Sequence, residues 1–297
     1  MFGSSRTRQQ LIGHSHRLAA KAALAYLVIA SVLVGAAKAT TPMMHSQVEW
    51  WSEFLGYKGF FVVAVSTAGV YYAARFAAGR VWRSQQELLA AQQDILQRLA
   101  LAVEARDGGT AQHTVRMARY CEAIAREMCL GKRTCDLIFQ ASQLHDIGKI
   151  GLPDHILLKR GLLTPEERNT MQTHVEIGVG LLEGSNSPLL RLAEQIVQSH
   201  HERWDGTGYP NGISKGEIPV SARIAALCDV FDALTSERPY KAAWTFEEAS
   251  DEIRRQSGKH FDPAVVAAFV RASKKIRAIN LQYADPCAIV DRDLEAA

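Results

Sequence analysis

HHERWDGTGYPNG, His200 to Gly212, sets two adjacent histidines ahead of a loop with three glycines. Adjacent histidines point in different directions, so they can serve two metal ions or clamp one. Gly206, Gly208 and Gly212 allow the backbone to double back closely over a ligand. Asp205 is suited to hold the loop by side-chain-to-backbone hydrogen bonds. Tyr209 offers a hydroxyl and a flat face, and Pro210 stiffens the exit. Alone, the stretch would read as a surface turn with two solvated histidines, so its meaning depends on partners elsewhere in the chain.

Those partners are present. His145-Asp146-Ile147-Gly148-Lys149 closes a helical stretch, and neighbouring residues on a helix project about 100° apart. One imidazole and one carboxylate can then meet a metal from a single turn, with the second carboxylate oxygen left for a second metal. Lys149 lies one turn beyond His145 and suits a phosphate. Asp229 sits in the apolar run RIAALCDVFDAL. A carboxylate is expensive to bury there unless it is paired or binds a metal. With His113, His174, His200 and His201, the chain offers five imidazoles and two carboxylates, the donor set that two metal ions would need.

The surroundings are helical. Ala111–Met128, Thr134–Leu144, Thr164–Leu182, Pro188–His201, Ser221–Thr235, Phe246–Gln256 and Pro263–Ile279 carry helical periodicity. No β-branched run alternates long enough for a sheet. An all-α domain follows. Val81–Arg106 also reads as a helix, with Leu88, Ile95, Leu99 and Ala102 on one face. It either couples two protomers as a short coiled coil, giving a homodimer, or packs on its own domain.

The 297 residues carry 22% charged and 47% hydrophobic side chains, with a net charge of +3. Nothing marks a nucleic-acid surface. The five cysteines are scattered without a C-x-x-C, which argues for reduced thiols. Two uncharged stretches, AALAYLVIASVLVGAA (22–37) and GFFVVAVSTAGVYYAA (59–74), approach the ~20 residues of a spanning helix. Arg6, Arg8, Arg17 and Lys21 precede the first, and Arg75, Arg80 and Arg83 follow the second. By the positive-inside rule both ends face the cytoplasm. Buried core helices, or a signal peptide cleaved near Ala39, are the competing readings of these segments.

From Glu104 to Pro263 the chain resembles the HD-GYP family, a branch of the HD-domain metal-dependent phosphohydrolases. The resemblance rests on Thr110–His113, HDIGK at 145–149, ILLKRGLLTPEE at 156–167 with His174 beyond, HHERWDGTGYPNG at 200–212, RIAALCDVFDALTSERPYK at 223–241 and GKHFDP at 258–263. It implies an all-α HD-domain bundle with a GYP extension and a binuclear centre, with iron or manganese as the expected divalent ions. The implied activity is hydrolysis of cyclic di-GMP to linear pGpG and on to GMP.

Carried over by position, His113, His145, Asp146, His174, His200, His201 and Asp229 are the metal ligands, with Asp146 bridging. His145, Asp146 and Lys149 carry the catalysis. Lys149, Tyr209, Arg238 and Lys241 contact the substrate. Gly109 stands where some members have a glutamate for a third metal, so two metals are expected. The competing functions are hydrolysis of another cyclic dinucleotide or nucleotide, or a non-catalytic receptor for cyclic di-GMP. The expected organisation is a cytoplasmic start (1–17), two spans with an external loop at 38–58 (18–79), a helical linker (80–103), the HD-GYP domain (104–282) and a tail (283–297). The protein would sit in the inner membrane, with lipid around its spans and the catalytic domain in the cytoplasm.

Overall fold

The structure, a computed structural model, describes residues 17, 19–32, 35, 49–107, 111–237 and 242–284. The chain divides into two compact units, Met1–Gln92 and Gln93–Ala297. Its helices are α1 (Ala19–Val32), α2 (Glu49–Arg106), α3 (Ala111–Glu127), α4 (Lys132–Ala141), α5 (Asp154–Leu157), α6 (Pro165–Gln172), α7 (His174–Leu182), α8 (Pro188–Ser199), α9 (Val220–Thr235), α10 (Phe246–Arg255) and α11 (Pro263–Gln282). No strand occurs among the described residues, so the all-α expectation holds.

In the first unit, Leu24, Ile29, Phe61, Val62, Tyr72 and Phe76 are all exposed. Among the described residues one segment, Phe61–Arg106 of α2, is long and apolar enough to cross a membrane by length and composition. Of the expected pair of spans, one candidate is present among the described residues. α1 is apolar but shorter than the ~20 residues that a span needs; Leu18 and residues 33, 34, 36 and 37 of that expected span lie outside the described residues. The expected external loop at 38–58 is described only in part. Glu49–Lys58 belongs to α2, and residues 38–48 lie outside the described residues. Glu49, Glu53 and Lys58 are charges that a helix tolerates. α2 is also unbroken through the expected linker boundary at 103, because no glycine or proline lies between Val81 and Arg106.

In the second unit, α3 packs on α4, α9 and α11, and α8 packs on α4, α7 and α9. α9 is the central helix. Ser221, Ala222, Ile224 to Cys228, Phe231 and Asp232 are all buried, as expected of a helix that is apolar nearly all round. Phe231 holds the aromatic core, with ring centroids 5.5 Å from Tyr120, 5.4 Å from Phe246 and 5.0 Å from Phe269, all edge-to-face.

Two expected helices differ in form. Thr164–Leu182 is two helices that meet at Thr173, α6 being capped by Thr164 and Glu167 in a reciprocal capping box. Thr134–Leu144 ends as an α-helix at Ala141 and tightens into 3-10 turns at Ser142–Leu144 and Ile147–Gly151. His145 and Asp146 therefore lie between two tight turns, with Asp146 at φ −107°, ψ 15°, and not on a regular helical turn as expected. The reason is local. Gly148 crosses α7 so closely that a Cβ there would lie 1.8 Å from His174 O and 2.5 Å from Gly178 N. A wider α-helical turn carrying side chains would not fit.

Candidate metal centre

Seven side chains from five parts of the fold converge. His113 comes from α3, His145 and Asp146 from the tight turns, His174 from the start of α7, His200 and His201 from the end of α8, and Asp229 from α9. They form two groups whose donor atoms lie within 4.8 Å of one another: Asp146, His174, His200 and His201 in one, His113, His145 and Asp229 in the other. These are the seven residues picked out in the sequence. His200 and His201 fall in one group, which decides between the two arrangements that adjacency left open.

The carboxylate of Asp146 faces both groups. Its Oδ1 lies 3.5 Å from His174 Nε2 and 3.7 Å from His200 Nε2. Its Oδ2 lies 3.2 Å from His145 Nε2. Across the second group, Asp229 Oδ1 lies 3.8 Å from His113 Nε2 and 4.0 Å from His145 Nε2.

Each fixed imidazole is held by its other nitrogen. His145 Nδ1 donates to Ser142 O at 3.0 Å, His174 Nδ1 to Met171 O at 2.8 Å, and His200 Nδ1 lies 3.1 Å from both Ile196 O and Val197 O. With the proton on Nδ1, the lone pair of each Nε2 points inward, the tautomer that a metal ligand requires. The buried atoms His145 Nε2, His174 Nε2, His200 Nε2 and Asp146 Oδ1 have no hydrogen-bond partner. Buried polar atoms are seldom left so. Four orphaned lone pairs aimed at one place fit a cation, and the mixed imidazole and carboxylate donors suit a first-row transition metal better than magnesium.

The two groups differ in proton affinity. In the first, burial pushes His174 below the usual histidine range, and burial together with the neighbouring His200 pushes His201 well below it. Burial works against ionisation of Asp146, but Lys149 and His145 outweigh it and hold the carboxyl well below its ordinary value. In the second, burial also opposes charge on His113, but the hydrogen bond to Asp232 and the charges of Asp232, Asp229 and Glu104 raise it to about 9. His145 is raised as well, the charge of Asp146 prevailing over burial.

Asp232 was not picked out from the sequence. It is fully buried, one turn after Asp229, and its Oδ2 lies 2.7 Å from His113 Nδ1. Arg116 donates to it from Nε at 2.7 Å and from Nη2 at 2.9 Å, and Ser236 Oγ donates at 3.2 Å. Against burial, which would raise it, His113 and Arg116 hold the Asp232 carboxyl at about 2. The available signal was the i, i+3 spacing of two acids in one apolar run.

The glycine-rich loop closes one side. Tyr209 stacks on His201, with ring centroids 4.6 Å apart and planes at 20°. Gly208 is needed there because a Cβ would lie 2.4 Å from Arg203 N and 2.6 Å from His201 O. Gly206 turns at φ +82°, and Asp205 accepts from Thr207 N at 3.1 Å, as expected. Glu202, buried and without an assigned role in the sequence, accepts from Asn211 N at 2.8 Å and ties the far end of the loop to the histidine pair.

Lys149 reaches the same centre, but not as a solvated cation. Its Nζ donates to Asp146 Oδ2 at 2.8 Å and to Asp107 Oδ2 at 2.5 Å. Arg106 donates to Lys149 O at 3.0 Å, Ile150 O at 2.6 Å, Leu152 O at 2.5 Å and Asp154 Oδ1 at 2.7 Å. Neither Arg106 nor Asp107 was read from the sequence as part of the site. Gly109, Thr110, Arg238 and Lys241 lie outside the described residues.

The HD domain family matches residues 97–265. A cyclic di-GMP phosphodiesterase of Thermotoga maritima is 48% identical over 183 residues, 62% of this chain and 50% of that protein. A 3'3'-cGAMP-specific phosphodiesterase 2 of Vibrio cholerae is 43% identical over 192 residues, 65% of this chain and 37% of that protein. A cyclic di-GMP phosphodiesterase response regulator of Xanthomonas campestris is 42% identical over 204 residues, 69% of this chain and 54% of that protein. The chain thus spans about half the length, or less, of these curated relatives. The family match runs through every described donor of both groups and through the glycine-rich loop, and the chain belongs to the HD domain family, in its HD-GYP branch.

Proposed function

We propose that the chain is a metal-dependent phosphodiesterase that hydrolyses cyclic di-GMP to pGpG and then GMP. The observation that carries this is the pair of ligand groups joined by Asp146, whose two oxygens face different groups. His113, His145 and Asp229 would hold one divalent ion, and His174, His200 and His201 the other, with Asp146 shared and iron or manganese the expected metal. When bound, such ions supply a water of lowered pKa and offset charge on phosphoryl oxygens.

The chain's own residues do the rest. The backbone-anchored imidazoles keep their donor nitrogens aimed inward before substrate arrives, so little reorganisation is needed. An ammonium has three N–H donors, and two of those of Lys149 go to Asp107 and Asp146. The third is available to a phosphate oxygen. Tyr209, stacked on His201, offers its hydroxyl and the outer face of its ring to the dinucleotide. Arg238 and Lys241 complete the grip on the second phosphate, an arginine fork matching its oxygens.

Residues 104–282 would form this domain, 80–103 a helical linker, and the apolar stretch within α2 an inner-membrane anchor that keeps the domain in the cytoplasm. The name of the Vibrio cholerae relative favours one second reading, a cyclic dinucleotide that carries one adenine.

The test uses the full chain in mild detergent, loaded with iron or manganese without oxygen. Cyclic di-GMP and 3'3'-cGAMP are offered singly and in competition, beside the Asp146→Ala variant. Release of pGpG or GMP from cyclic di-GMP in preference, lost in the variant, is the expected result. Preference for 3'3'-cGAMP would move the assignment to the second reading. Tight binding without turnover in the fully loaded protein would make it a receptor.

A further inference from the structure

Lys149 poses a problem for any cation placed beside it. Its ammonium is only 19% exposed and lies 2.8 Å from the Asp146 oxygen that also faces His145. An ion drawing on that oxygen would take away much of the negative charge that Lys149 uses. Two divalent ions and a largely buried ammonium would then repel one another at short range, where screening by water is weak.

Asp107 supplies what is missing. Its Oδ2 lies 2.5 Å from Lys149 Nζ, on a carboxylate that is itself 23% exposed and belongs to neither ligand group. Arg106, the preceding residue, is bonded to the backbone oxygens of Lys149, Ile150 and Leu152. Two neighbouring side chains at the end of α2 therefore grip the backbone and the ammonium of one residue.

We propose that Asp107 is a positioning residue of the metal centre. It retains and neutralises Lys149 when Asp146 turns its charge to the ions, so that the ammonium can stay beside them. The inference rests on the seven residues being a metal centre, but not on the identity of the substrate.

The experiment measures Mn²⁺ affinity by calorimetry at one fixed pH on the full chain in mild detergent. It compares wild type with Asp107→Asn, Lys149→Met and the double variant, each checked for helical content. Asp107→Asn should bind Mn²⁺ about tenfold or more weakly, the scale of outer residues around a metal site. Lys149→Met should bind at least as tightly as wild type. The double variant should regain wild-type affinity to within about threefold, because the cation that Asp107 offsets is gone.

A purely structural role for Asp107 would leave the double variant as weak as Asp107→Asn, and that result overturns the proposal. So does wild-type affinity in Asp107→Asn, or a loss of affinity in Lys149→Met, a variant that keeps Asp107 and so stays informative even if Asp107→Asn does not fold. A wild-type chain that takes up no ion sinks the metal-centre reading itself, and this inference with it.

Discussion

The two ligand groups sit side by side, share a carboxylate and are built differently. Asp146 and His174 come from segments that touch backbone to backbone, α8 beside them sets Val197 on Gly178, and burial keeps the His174 and His201 imidazoles short of protons. His113, His145 and Asp229 are drawn from α3, α9 and the turn between them, and Asp232 and Asp146 hold protons on His113 and His145. A ligand must shed its proton before it binds. His174 and His201 are the readier for an ion, whereas His113 must give up its proton first. The proton load of a buried histidine is set by a balance: burial wins at His174 although Asp146 lies 3.5 Å away, and the hydrogen bond to Asp232 tips His113 the other way.

The largest effect is expected where the groups are joined. Asp146→Ala should cost both ions and at least about 10³-fold in turnover, the scale of one preorganised electrostatic contributor to a transition state. Metal analysis beside the activity assay checks it, and a variant that keeps two ions would remove Asp146 from its shared place.

Asp232→Asn should separate the groups. It leaves His113 without its carboxylate and weakens the ion of the second group by about 10–100-fold, while the first group keeps its own. At one fixed pH, calorimetry should show the weaker site weaken further while the stronger one is unchanged. Because Arg116 would lose its two hydrogen bonds to a buried carboxylate, the fold should also lose some stability.

Titration with pH sharpens the contrast without a mutation. Each proton displaced from His113 makes ion affinity in the second group rise about tenfold per pH unit up to about 9. Over the same range the lowered His174 and His201 add no such dependence, so the slope in the first group should be the shallower. Equal slopes for both ions would abolish the distinction. The ion-free chain gives a second check. The raised His113 contributes stability that is full below 6.5 and is lost as pH rises through about 9. The lowered Asp232 contributes stability that is full above 3.8 and is lost as pH falls through about 2. Thermal unfolding should therefore peak between those inner limits as far as this pair is concerned.

The smallest effect is expected at Tyr209. Its stack on His201 is worth about 0.5–1.5 kcal/mol, so Tyr209→Leu should weaken the first ion by less than about tenfold and leave the second unchanged. A change confined to the second ion would mean that the loop serves the other group.

Residue type and spacing were enough to single out the seven side chains that converge, because each pairs an unusual chemistry with an apolar or glycine-rich neighbourhood. The helices were legible for the same reason, periodic apolar faces with clear stops. What escaped notice depended on three dimensions. Asp232 looks like any acid near a helix end until α3 brings Arg116 and His113 to it. Asp107 and Arg106 read as ordinary charges ending a helix, and only the fold sets them against a turn 42 residues on. Lys149 was found, but two carboxylates already hold it. The tight turns around His145 were hidden because the pattern there is helical and a glycine crossing imposes the distortion. Glu49–Lys58 read as part of a loop because it lies between two apolar stretches, and α2 runs through it in spite of Gly56.

The crossing of Gly148 over α7 carries a mechanical consequence. No layer of side chains separates the turn that holds Asp146 from the helix that begins at His174, and Gly178 in turn leaves no room for a Cβ against Val197 of α8. Side chains can yield by changing rotamer, but peptide groups in contact cannot. The turn of Asp146 and the start of α7 thus form a stiff template whose spacing is set by backbone. An ion of the wrong radius would meet resistance there, because neither peptide can retreat.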